Sequence, residues 1–161
     1  MLFLNDKEIE DLINEEKNLV SNGYNDMTPA KPLRGHKQQE IICKRPDGSQ
    51  FRIFVRQNSI DLLSFSVILA FSPSKSNFTF RLRRYNGRHQ HTNRIERNTF
   101  YDFHIHKATE KYQKEGLKED GYAEVSNEYT EIRGAIDKFV KDCNIKFGNK
   151  DQLPLFEGGE K

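Results

Sequence analysis

The chain has no tryptophan, and only two methionines, two cysteines and five prolines among its 161 residues. Cys43 and Cys143 lie far apart and form no CxxC pair. That suggests no disulfide framework and points to a reducing, cytoplasmic setting, with a terminal disulfide staple as the weaker reading. No stretch approaches the roughly 20 apolar residues of a membrane span, so no membrane partner is expected. The first residues, Met1 to Glu8, lack a basic region and turn acidic at Asp6, so they do not read as a signal peptide. Strong charge of one sign is also missing: 26 basic and 24 acidic side chains leave a net +2. A globally polybasic nucleic-acid binder is thereby excluded, and local clustering of charge becomes the informative quantity.

What the chain does have is aromatic side chains, with 12 phenylalanines and six tyrosines. A core can be built from these few large groups although only 35% of residues are hydrophobic. The length suits one domain.

Asn5 or Asp6 can cap a first helix, and Ile9, Leu12, Ile13, Glu16, Leu19 and Val20 recur near helical spacing up to a stop at Asn22-Gly23. Residues 24–36 read as a loop. A hairpin follows: Glu40 to Arg45, the turn Pro46-Asp47-Gly48-Ser49, then Gln50 to Gln57. A third strand places Leu63, Phe65, Val67, Leu69 and Phe71 on one face, and a fourth starts at Phe78. Phe100 to His106 alternates again as a fifth strand. A short helix over Ala108 to Glu115 and a longer one from about Ser126 to Asp142 complete the series. The expected fold is α+β: an N-terminal helix, an antiparallel sheet of four to five strands, and one or two C-terminal helices on one face. Residues 1–146 form the domain, and 147–161 a flexible tail.

Two strands carry arginines opposite their apolar side. Arg52, Arg56, Arg81 and Arg83 would form one basic face if those strands are neighbours. The alternative is an ordinary solvated face.

Four of the five histidines fall between Arg83 and Lys107, in two His-x-His pairs: His89 with His91, and His104 with His106. On a strand, His104 and His106 share a face about 7 Å apart. Asn86-Gly87 reads as a tight turn that brings the other pair near them. Three chemistries fit. Paired imidazoles can bind a metal, although no third ligand stands out beyond Asp102. They can act as acid and base on a phosphodiester, His104 and His106 moving protons while His89 and Arg84 contact phosphate. They can also bind without catalysis, with Arg88, Arg94 and Lys107 adding positive charge. We expect no cofactor and no metal.

The run Arg84-Tyr85-Asn86-Gly87, then His89 and His91, then Phe103-His104-Ile105-His106-Lys107, resembles the signature of small TumE-type toxin proteins of toxin–antitoxin and mobile-element settings. The resemblance covers about a quarter of the chain. It implies a compact α+β fold and action on nucleic acid neutralised by a partner protein. Asn86-Gly87 stands where that pattern has an acid-containing pair. The chain also resembles small phage and prophage proteins, for which binding a host defence protein is the implied role.

Near the end, Gln152-Leu153-Pro154-Leu155-Phe156 is a short apolar island with polar and glycine-rich flanks. It resembles the peptide by which bacterial polymerases and mismatch-repair proteins hold the sliding clamp. Gln152 would bond a groove rim, Leu155 and Phe156 would fill an apolar pocket, and Leu153 would pack alongside. The alternative is a segment folded back on the domain. The combined expectation is a small mobile-element effector acting on or near nucleic acid, with a non-enzymatic phage-type inhibitor as the alternative. A plain nucleic-acid-binding module using the outward arginines is a third possibility.

Overall fold

The computed structural model describes residues 2–20 and 24–148; the Gln152–Phe156 peptide lies outside them. Helix α1 (Asp6–Asn14) starts on a capping box. The Asn5 side chain accepts from the Glu8 amide at 2.7 Å, and the Glu8 carboxylate accepts from the Asn5 amide at 2.9 Å. The helix buries Ile9 and Ile13 and then stops, two turns earlier than its periodicity suggests. Lys17–Val20 is a strand, β1, paired in parallel with β11 (Ile145–Gly148). Lys17 closes the helix. Its three ammonium N–H groups are shared among carbonyls 2.7–2.9 Å away: those of Leu12, Ile13 and Glu15, which continued helix would have bonded to backbone N–H groups, and that of Cys143, the C-cap of the last helix. The residues after Ile145 accordingly remain in the domain as far as Gly148.

A one-turn helix α2 (Tyr24–Met27) and a short strand β2 (Lys31–Leu33) occupy what reads as a loop. Strands β3 (His36–Lys44), β4 (Gln50–Asn58), β5 (Phe65–Ser72) and β6 (Phe80–Asn86) then run as an antiparallel meander. The β3–β4 turn falls where the Pro-Asp-Gly-Ser sequence predicts, with Gly48 at φ 93°. Beyond β6 comes the small hairpin of β7 (His91–Asn93) and β8 (Asn98–Phe100), then β9 (His104–Lys107), α3 (Glu110–Lys114), β10 (Tyr122–Val125) and α4 (Ile132–Asp142). The expected fifth strand is thus two strands: Asn98–Phe100 pairs with β7, while His104–Lys107 joins the main sheet. That sheet has seven antiparallel strands in the order β10-β9-β6-β5-β4-β3-β2. The α+β class holds, with more strands than the sequence suggests.

One face of the sheet carries the core. Phe51, Ile53 and Val55 of β4, Val67 and Leu69 of β5, and Leu82 and Tyr85 of β6 pack beneath Ala135, Ile136 and Phe139 of α4, together with α1 and the β1–β11 ribbon. Helix α4 begins at Ile132, six residues after Ser126, with Glu131 as its N-cap. The intervening segment is held elsewhere. The Ser126 amide donates to the Phe103 carbonyl, and the buried Tyr129 hydroxyl reaches the carbonyls of Asn86 and His104 at 2.8 and 3.0 Å.

A bulge in β6 divides its arginines. Leu69 pairs with Arg83 and Ala70 with Arg81, leaving Leu82 as the extra residue. Arg83 therefore shares the core face with Leu69 and lies near Tyr85, Asp142 and Cys143. The four-arginine face expected from alternation is corrected to three: Arg52, Arg56 and Arg81 on the open face, Arg83 on the other.

Candidate functional site

The open face of β6 and β9 is lined by alternate residues paired across the ladder: Arg84 with His106, and Asn86 with His104. Hairpin β7–β8 lies over this region and brings in the second histidine pair. Ring centroids are 4.9 Å apart for His89 and His104, 4.5 Å for His91 and His106, 5.5 Å for His91 and His104, and 5.1 Å for His104 and His106. Phe100 closes the cluster at 5.4 Å from His104.

The route to this juxtaposition differs from the expected Asn86-Gly87 turn. Gly87 continues the pairing of β6, its amide donating to the Phe65 carbonyl at 2.9 Å. A Cβ there would lie 1.9 Å from the Leu63 carbonyl oxygen, so glycine is needed for close backbone approach rather than for a turn. The reversal falls between β7 and β8, where Arg97 takes φ 63°.

Hydrogen bonds fix the ring tautomers, because most of the partners can only accept. His104 Nδ1–H donates to the Asp102 carbonyl and His106 Nδ1–H to the Asp120 carbonyl, both at 2.8 Å. His91 Nε2–H is shared between the Gly121 carbonyl at 3.0 Å and Asn93 Oδ1 at 2.9 Å. Asn86 accepts from the Ser66 hydroxyl at 2.8 Å, which turns its amide nitrogen toward Nε2 of His89 and of His104, at 3.3 and 3.5 Å. Each ring so bonded turns its other nitrogen away from that partner. Burial is the main reason that His104 and His106 stay neutral. It lowers the pKa of His104 to about 4, helped by His89, His91 and Arg84, and that of His106 to about 2, where Arg84 is the next cause. Burial, Arg84 and His91 also lower His89.

Asp120 anchors the positive side. Its carboxylate is fully buried, and one oxygen lies 3.2 Å from Nε of both Arg81 and Arg84. Neither N–H is aligned for a hydrogen bond, so charge rather than direction holds this triad. Asn93 secures the far edge: its amide donates to the Ala123 carbonyl and accepts from the Ala123 amide, both at 2.8 Å. In this way a side chain replaces the neighbour that strand β10 lacks there.

These groups surround a cleft of about 360 Å³ whose lining includes Arg84, His89, His91, Arg94, His106 and Lys118. No described lining residue is a carboxylate. A second cleft of about 190 Å³, again without a lining carboxylate, is bounded by His36, Arg56, Ser66 and His89 among others. Arg84, His89 and His106 thus line one cavity with His104 directly behind. Arg88 is exposed on the loop before β7. Arg52 is held by Glu40 at 2.6 Å, and Arg81 by Asp120. Lys107 pairs with Arg83 on the core-bearing side and is bound to Glu124 at 2.9 Å. Sequence reasoning missed His36, Asn93, Lys118 and Asp120. The first two carry no motif, and the last two lie between α3 and β10, outside the histidine-rich segment. Among the described residues, no group of three or more His, Cys, Asp or Glu is arranged to hold a metal, and no helix is long and apolar enough to cross a membrane.

The chain belongs to a family of unknown function, DUF6978, whose match spans residues 4–145 and so includes every residue of the cluster. No curated protein and no solved structure matches it.

Proposed function

We propose that the histidine-lined cleft binds the phosphate backbone of nucleic acid, and that the protein is a small effector acting at that ligand. The observation that carries this is the charge of the lining: Arg84, Arg94 and Lys118 around three imidazoles, with no lining carboxylate. Guanidinium and ammonium groups grip phosphate oxygens, and imidazole lone pairs accept from a neighbouring hydroxyl or base N–H. Binding comes before cleavage in this reading. A base of pKa about 2, as at His106, is a weak proton acceptor at neutral pH, and a His104 near 4 is a poor acid there. A bound phosphate would raise both, since a nearby negative charge favours imidazolium. Proton transfer by His104 and His106, with Arg84 and His89 on phosphate, is therefore the step that follows capture. The test is fluorescence anisotropy with labelled RNA and DNA over a salt series, alongside a cleavage assay. Affinity falling steeply with salt, and lost in Arg84→Ala, is expected; no binding at low salt in either polymer overturns the reading.

A protein partner, such as an antitoxin or a host defence protein, is favoured by a separate observation. Ile60 and Leu62 in the β4–β5 loop are 92% and 59% exposed beside the smaller cleft. The Gln152–Phe156 peptide would supply a further partner, the sliding clamp. A pull-down with the whole chain and with residues 150–161 removed tests it, since clamp recovered equally by both sinks the tail's role.

A further inference from the structure

The two carboxylate-free clefts meet at His89, which lines both, and the ladder runs from one to the other beneath it: Arg56 pairs with Ser66, Ser66 with Asn86, and Asn86 with His104. These four residues occupy neighbouring strands on the open face, so the row extends over three strand spacings, about 14 Å. Cationic or imidazole groups stand at both ends. Arg56 meets His36 Nε2 at 3.1 Å at one end, and Arg84, Arg94 and Lys118 line the other. Polar side chains form the middle, with the Ser66 hydroxyl and the Asn86 amide bonded at 2.8 Å. A single phosphate needs one such end, not both.

We infer that the ligand is a single nucleic-acid strand laid across both clefts, passing the exposed His89, with one phosphate held near Arg84 and a later one near Arg56. This rests on the phosphate-binding reading given above. The hollows, of about 360 and 190 Å³, suit single phosphates or unstacked bases rather than a duplex, while Asn86 and His104 beneath His89 are 1% and 0% exposed and support the path without meeting the ligand. His89 is exposed where the two clefts meet, so a base passing there can contact its ring.

The experiment compares affinities of the full chain for two-nucleotide and eight-nucleotide oligouridylate and oligothymidylate, and for a duplex of the longer length. The longer single strand should bind about tenfold or more tighter than the shorter, and tighter than the duplex. Arg56→Ala, at an exposed position, should remove most of the gain with length. Equal affinity for both lengths, a full gain retained in Arg56→Ala, or preference for the duplex would overturn the inference while leaving phosphate capture intact. No binding of any ligand would remove both.

Discussion

The Lys17 ammonium donates to the Cys143 carbonyl at 2.8 Å, tying the start of β1 to the end of α4 across the core. Three more carbonyls, of Leu12, Ile13 and Glu15, converge on the same nitrogen. Burial lowers the pKa of Lys17 to about 8 from 10.5. Folding therefore favours the neutral amine, and the unfolded chain binds the extra proton between those values. Stability attributable to Lys17 should rise with pH, by about 1.5 kcal/mol between pH 8 and 9.5. Urea denaturation of wild type and Lys17→Met at both values measures the difference. The variant should lose the trend and be less stable by about 1–3 kcal/mol at pH 8, because several buried carbonyls lose their donor.

The histidine cluster predicts the stability at acid pH. His104 and His106 hold protons more weakly folded than unfolded, where the pKa is near 6.5. Their contribution is complete above 6.5 and declines as pH falls below it, towards about 4 for His104 and about 2 for His106. At pH 5 each should withdraw about 2 kcal/mol relative to neutral pH. Thermal melts at pH 7 and 5 should show the drop, and it should shrink by about half in His106→Gln.

Gly87→Ala should destabilise the protein by about 2–4 kcal/mol, through overpacking against backbone that cannot rotate away. The added methyl would sit on the Leu63 carbonyl oxygen. Displacement should concentrate at Leu63 in the β4–β5 loop, and faster exchange of the Arg88 amide, which donates to the Leu63 carbonyl at 3.0 Å, is the measurement. Unchanged exchange there would refute the close-approach account.

Asp120→Asn separates stability from binding. Removing one partner of a fully buried pair costs roughly 3–5 kcal/mol. Arg81 and Arg84 keep 36% and 24% side-chain exposure, so a smaller loss of about 1–3 kcal/mol is expected here. Arg84, released from its carboxylate, should hold phosphate several-fold more tightly, as titration with a short oligonucleotide would show.

Asn93→Ala leaves the Ala123 N–H and carbonyl without the amide that pairs them. The expected loss is about 2–3 kcal/mol, with faster exchange of the Ala123 amide in particular.

Much of this was legible in the chain alone. Local chemistry wrote the capping box at Asn5 and Glu8, the Pro-Asp-Gly-Ser turn, the alternation of β4 and β5, and the stripe of α4, because each depends on residues within a few positions of one another. The gathering of arginine and histidine between Arg83 and Lys107 was equally visible as composition. Tertiary structure decided the rest. The helix that ends at Asn14 is stopped by a lysine bonded to a residue 126 positions away. A bulge opposite Leu69 and Ala70 sends Arg83 to the core face and keeps Arg84 beside His106. His36, Asp120 and Asn93 join the site through strand register and hairpin docking. Their places are set by long-range pairing, which periodicity within a single segment does not encode.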